Sequence, residues 1–175
     1  MSLEIRRLAP LDAAAFQALR LRGLAEDPTA FGSSYEEEKD EPASDVAERI
    51  RKNVTGFVMG AFDDGTLVGV VGMHRSHHVK AAHKMELWGM YVAPEARRLG
   101  AGRKLVEAAL RDAFGIDGIR QVNLGVNAAN LPALRLYEAM GFIPFGLERD
   151  CLVVDGIPQD EIHMVRFRSG APRPA

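Results

Sequence analysis

Two glycines and four cations sit together in Arg97-Arg98-Leu99-Gly100-Ala101-Gly102-Arg103-Lys104, immediately before the helix-forming run Leu105-Val106-Glu107-Ala108-Ala109-Leu110. The mouth of a helix carries unpaired backbone N–H groups and a partial positive charge, and glycine removes the side chain that would keep a phosphate from reaching them. The chemistry this allows is phosphate binding, with Arg97, Arg98, Arg103 and Lys104 adding mobile charge. An ordinary helix cap could carry the same residues, because Arg-x-x-Gly-x-Gly is short enough to recur by chance. Two common nucleotide loops do not fit. No Gly-Lys-Ser/Thr follows a four-residue gap, and no Gly-x-Gly-x-x-Gly opens a strand–helix unit near the N-terminus, which argues against a kinase or a dehydrogenase.

A second group lies downstream. Asn130-Leu131-Pro132-Ala133-Leu134-Arg135-Leu136-Tyr137-Glu138-Ala139-Met140-Gly141-Phe142 reads as a helix with a good N-cap, a proline tolerated in the first turn and a glycine at its end. Within it Tyr137 offers a phenol that could donate a proton, or could anchor the helix to a core. Glu86, on an expected strand, could act as a base or merely pair with a basic neighbour. Cys151 fits a small core residue better than a nucleophile. His74, His77, His78 and His83 gather around the end of one expected strand, but no second ligand group completes a zinc site, so a solvated loop is expected.

The elements that must hold these residues follow from periodicity. Leu3 to Leu8 suggests a first strand, and apolar positions from Leu11 recur at helical spacing. Asp27 to Pro42, with turn formers and Glu36-Glu37-Glu38, is expected as an exposed loop, and a helical pattern resumes from Asp45 to Lys52. Phe57 to Phe62 and Leu67 to Met73 flank Asp63-Asp64-Gly65-Thr66, a hairpin signal. A strand from Met85 to Val92, with Glu86, Trp88 and Met90 alternating on one face, precedes a helix from Gly100 to Phe114. A strand from Arg120 to Val126 and the Leu131 to Met140 helix come next. Runs from Phe142 to Val154 and from Glu161 to Phe167 are separated by the turn Asp155-Gly156-Ile157-Pro158. The order β, α, α, β, β, β, α, β, α, β, β implies an α/β (α+β) mixed sheet covered by helices.

With 175 residues, 47% hydrophobic and 26% charged, one domain over residues 1–168 is expected, with residues 169–175 a frayed tail. A net charge of -2 offers no basis for a nucleic-acid surface or an anionic membrane. No window approaches the roughly 20 apolar residues of a membrane span, and no apolar segment follows the basic pair near the N-terminus, which argues against insertion and export. The lone Cys151 excludes an intramolecular disulfide and points to a reducing compartment, the cytoplasm.

The Arg97 to Gly102 loop followed by Asn-x-x-Ala-x-x-Leu-Tyr-x-x-x-Gly-Phe resembles the GNAT superfamily of acetyl-CoA-dependent N-acetyltransferases. The resemblance covers nearly the whole chain in element order, and specific residues carry it from Glu86 to Phe142. It implies a splayed sheet of about seven strands flanked by four helices, in which the fourth and fifth strands part and the pantetheine arm of acetyl-CoA lies as an added strand. Carried over by position, the backbone of Met90, Tyr91 and Val92 would bond the pantetheine and acetyl carbonyl. Arg97, Arg98, Leu99, Gly100, Ala101, Gly102 and Arg103 would cradle the pyrophosphate, and Asn130 would contact the CoA arm. Tyr137 would lie against the cofactor beside the CoA sulfur and protonate the departing thiolate, and Glu86, where some members carry a glutamate, would be the general base.

The implied activity is acetyl transfer to a primary amine of a small molecule or peptide, by direct attack in a ternary complex. A CoA-binding regulatory module without catalysis is the alternative. Relatives that acetylate ribosomal proteins carry their glutamate on the next strand, where this chain has Gly125, a departure from that subgroup. The acceptor would enter opposite CoA, past the Asp27 to Pro42 loop and the last hairpin. Phe31, Tyr35 and Trp88 could contact its apolar part, and Glu36, Glu37, Glu38 and Asp40 could attract a cation, or form a solvated acidic loop. A homodimer is expected from the family's habit.

Overall fold

The computed structural model describes residues 3–51 and 55–170, leaving aside the side chain of Arg98. Strand β1 (Glu4–Arg7) leads into helices α1 (Ala13–Glu26), α2 (Tyr35–Glu38) and α3 (Ala43–Ile50). Strands β2 (Gly56–Asp63), β3 (Thr66–Arg75) and β4 (Lys84–Val92) precede helix α4 (Ala101–Phe114), then strand β5 (Gln121–Asn127) and helix α5 (Leu131–Ala139). Strands β6 (Ile143–Val154) and β7 (Ile157–Phe167) close the chain. One seven-stranded sheet runs in the order β1-β2-β3-β4-β5-β7-β6, so the α/β mixed sheet expected from the element order is what forms. Of the expected tail, residues 171–175 lie outside the described residues, as does Lys52 at the end of the second expected helix.

All neighbouring strands are antiparallel except β4 and β5. That parallel pair is linked through α4, whose Leu105, Val106, Ala109 and Leu110 pack with Leu87, Val122 and Leu124 on one side of the sheet. Phe16 and Leu19 of α1 and Val46 and Ile50 of α3 pack with Val58, Val70 and Tyr91 on the other side. Each such buried side chain contributes roughly 1.5–3 kcal/mol of transfer free energy, so the two faces clamp β2 to β4 firmly. β4 and β5 pair only over Lys84–Glu86 and Gln121–Asn123, and then separate.

Both hairpins use two-residue turns with left-handed backbone, Asp64-Gly65 at φ 46° and 80° and Asp155-Gly156 at φ 50° and 77°. This conformation matches the strand twist and selects Asp-Gly. The second turn is shorter than the sequence suggests, because β7 begins at Ile157, with Pro158 opposite Val153. Proline is tolerated there since β5 pairs only with the part of β7 from Glu161 onward, leaving no ladder bond for Pro158 to donate on that side.

The single-face alternation of Glu86, Trp88 and Met90 does not occur. Val70 pairs with Tyr91 but Gly72 with Trp88, so β4 carries one extra residue, and Gly89 takes it up at φ 61°. Trp88 therefore packs on the α1 side, with its indole laid over Gly72, while Met90 packs with Leu87 and Val92 on the α4 side. The bulge shifts the phase of every residue after it.

The expected exposed loop is also more ordered than its composition suggests. Ser34 caps α2 in a reciprocal box with Glu37. Glu38 is buried, its carboxylate 2.8 and 3.0 Å from Arg20 of α1 and 2.5 Å from Ser33 Oγ, with Arg49 of α3 at 3.4 Å. It is therefore a structural anion and not a lure for a cation. Burial alone would raise its pKa, but the hydrogen bonds from Arg20 and Ser33 and the charges of Arg20 and Arg49 bring it down to about 2. Glu38→Gln should cost about 3 kcal/mol in urea unfolding, because Arg20 is left buried without its counter-charge. In the unaltered protein that stabilisation should be complete above the unfolded value of 4.5 and disappear as pH falls toward 2.

Candidate active site

Where β4 and β5 part, a cleft of about 830 Å³ opens between them and runs to the mouth of α4. Its walls include Met90, Tyr91 and Val92 from β4, Arg97, Gly100, Gly102 and Arg103 at the helix mouth, and Asn130 at the start of α5. Among the described residues, β4 from Leu87 onward has no ladder partner on the β5 side, so its backbone groups there are available to a ligand.

The helix mouth is shaped by its glycines. Pro94–Leu99 forms a 3-10 turn, and Gly100 then caps α4 at φ 74°, a left-handed conformation that glycine adopts without penalty. Gly102 faces the cleft, where a Cβ would come within 3.4 Å of Met90 and 3.5 Å of Leu136. Arg97 bonds the carbonyl of Val92 at 3.0 Å, tying the loop to the end of β4, while Arg103 pairs with Glu107 at 2.9 Å. Of the other expected loop residues, Ala101 is fully buried in the core and Leu99 lies outside the cleft lining. The Arg98 side chain is outside the described residues.

The cleft narrows to a neck lined by Trp88, Gly89, Met90, Gly125, Asn127, Asn130 and Tyr137. Asn130 accepts from the amide of Ala133, so it doubles as the cap of α5. Tyr137 is buried, edge-on to Phe142 at 5.7 Å, and burial pushes its phenol well above its ordinary value, so it keeps its proton.

On the other face of the sheet Glu86 approaches His74 at 3.4 Å. The hydrogen bond from His74 outweighs burial and holds the Glu86 carboxyl below its ordinary value. Trp88 reaches the neck, but Phe31 and Tyr35 do not. They line a separate depression of about 470 Å³ beside Leu152 to Asp155, and Phe31 is largely packed against Tyr91 and beneath Arg20. The three expected acceptor residues are thus divided between two places.

Sequence spacing missed Asn127, Gln159, Glu161 and His163. Asn127 bonds Gln159 at 3.0 Å and the Thr29 carbonyl at 3.4 Å, joining the end of β5 to the last hairpin and to the segment after α1. Glu161 rests its carboxylate against Gly125. These residues come together only through strand pairing, which leaves no local signal. Among the described residues no three His, Cys, Asp or Glu side chains group as a metal site. Burial, and after it the charges of Glu161 and Glu148, push the Cys151 thiol up and away from nucleophilic use.

Comparisons with known proteins find acetyltransferases. Mycothiol acetyltransferase from Thermobispora bispora is 35% identical over 136 residues, covering 75% of this chain and 43% of that protein. Spermidine N(1)-acetyltransferase from Vibrio cholerae is 28% identical over 124 residues, covering 71% of this chain and 62% of that protein. The chain thus spans less than two thirds of the length of these curated relatives. A GNAT superfamily phosphinothricin acetyltransferase from Sinorhizobium meliloti, in complex with acetyl-CoA, superposes at a TM-score of 0.84, with 19% identity over 100% of this chain and 94% of that one. A sequence model described as the acetyltransferase (GNAT) family matches residues 21–142, a span that contains the parted strands, the glycine loop and Tyr137, and the chain belongs to that family.

Proposed function

We propose that the protein transfers the acetyl group of acetyl-CoA to a primary amine of a small molecule or peptide, by direct attack within a ternary complex. The observation that carries this reading is the neck, where the buried Tyr137 lies with Trp88 and Gly125 in the lining next to a cleft that begins at a helix mouth. Acetyl-CoA fits the residues present. Its pyrophosphate would sit against the N-terminal amides of α4 near Arg97 and Arg103, and its pantetheine would lie along the unpaired edge of β4 at Met90, Tyr91 and Val92.

An amine acceptor is mostly an ammonium at neutral pH, with reference values of about 8 for an α-amine and about 10 for a lysine, so a proton must leave before attack. Glu86 faces the acceptor side, ionised by its pairing with His74, and is suited to draw in and hold the ammonium. Tyr137, protonated throughout the working range, is suited to give its proton to the departing CoA thiolate. The two curated relatives are named for mycothiol and for spermidine, and the Glu161 carboxylate, which rests against Gly125 of the neck lining, favours a cationic amine here. The same reading takes residues 1–168 as one catalytic domain acting in the cytoplasm as a homodimer, supported by the single sheet, the lone cysteine and the exposed apolar side chains of β6.

Thiol release from acetyl-CoA, followed with a trapping dye against spermidine, lysine, an aminoglycoside and a lysine peptide, should show turnover with one of these amines. Tight CoA binding with no turnover across the set would favour a regulatory CoA-binding module instead. Tyr137→Phe should lower kcat about 100-fold while leaving the acetyl-CoA Kd unchanged. Gly102→Val, which fills the cleft wall, should weaken acetyl-CoA binding about 10-fold by calorimetry with little loss of stability.

A further inference from the structure

Gly125 presents no side chain at the neck, and the space beyond it is filled by another residue. A Cβ built on Gly125 would lie 1.8 Å from Oε1 and 2.4 Å from Cδ of Glu161. The Glu161 carboxylate is therefore seated against the β5 backbone, where only glycine leaves room for it. Val122, Leu124 and Val126 of β5 point to the α4 side, so Gly125 and Glu161 occupy the opposite face, the one that also carries Glu86 and Trp88. Glu161 reaches this seat from β7, where it stands opposite Asn127 on one side and Glu148 on the other. His163, whose Nδ1 lies 3.9 Å from Glu161, is held by Glu148 at 2.8 Å through Nε2.

We infer that Glu161 is a catalytic residue of the acetyl transfer, its carboxylate receiving the proton of the acceptor ammonium at the neck while Glu86 holds that ammonium in place. This rests on the transferase reading above. The two carboxylates differ in surroundings. Glu86 is tied to His74, which favours its ionised form and makes it a weak proton acceptor. Glu161 is pushed up by burial; His163 pulls it back, and the charges of Glu148 and Glu86 push it up again. The titratable groups facing it are Glu86 of β4, Glu148 and Cys151 of β6 and His163 of β7, while Asn127 of β5 is uncharged. A carboxylate lifted toward the working pH is the better base of the pair.

The step balances. One proton passes from the ammonium to Glu161, and the freed nitrogen lone pair forms the C–N bond to the thioester carbon. As the C–S bond breaks, Tyr137 protonates the thiolate and regains a proton from the attacking nitrogen. Glu161 then releases its proton to solvent, so the products are the amide, CoA thiol and one proton.

The test follows kcat against pH with acetyl-CoA and whichever amine of the set above reacts fastest. In the unaltered protein kcat should fall as pH drops through the Glu161 titration, because the protonated carboxyl cannot accept. Glu161→Gln should lose about 100-fold in kcat together with that acid limb, with the acetyl-CoA Kd unchanged. Gly125→Ala leaves Glu161 in the chain but takes its seat, and should lower kcat about 10-fold or more. Glu86→Gln should move the acid limb to lower pH, since a charge that raises Glu161 is gone. If Glu161→Gln keeps a third or more of kcat and the same acid limb, the assignment is overturned while the transferase reading stands. If the unaltered protein turns over none of the amines, the transferase reading falls and this role falls with it.

Discussion

A parallel strand pair that stops after three residues on each strand is the constraint from which the rest of this site follows. Backbone donors and acceptors on a strand cannot be left dry and unpaired without a cost comparable to a lost hydrogen bond. In β4 beyond Glu86 and in the facing part of β5, those groups border a cleft wide enough for an extended ligand. The sheet can afford this gap because both faces of β2 to β4 are packed by helices, and because β5 finds a full antiparallel partner in β7.

The bulge at Gly89 sets which side chains border that gap. Without the extra residue, Met90 would share a face with Glu86 and Trp88, and the side chains after it would exchange sides. With it, Trp88 packs on the α1 side while Met90 and Val92 pack on the α4 side. Arg20, a buried cation in α1, runs beside this point. Its Nη1 would lie 3.3 Å from a Cβ at Gly89, while its other nitrogens bond Glu38 and Ser33. The ion pair thus ties the acidic segment after α1 to the same stretch of β4 that borders the neck.

Charge is distributed in the same division. The cationic groups, Arg97 and Arg103, line the end of the cleft at the helix mouth, where a partial positive charge already exists. The carboxylates Glu86 and Glu161 lie on the α1 face of the sheet, with His74 beside Glu86, and His163 beside Glu148 and Glu161. A ligand with phosphates at one end and a partner that arrives as a cation is what such a polarity accommodates.

Much of this was legible in the residues alone. Asp64-Gly65 and Asp155-Gly156 announce their turns because the backbone conformation required there penalises most other residues. The glycines before α4, the cap of α5 and the periodicity of both helices are likewise local, decided within a few residues, and they were enough to mark the glycine loop, the start of α5 and Tyr137 as candidates. What only the tertiary structure decided depends on register across strands. The phase flip at Gly89 exists only against β3, the burial of Glu38 only against Arg20, and the seat of Glu161 only where Gly125 leaves it empty. Such meetings join residues far apart in the chain, and no spacing along the sequence encodes which side chain will fill another's missing one.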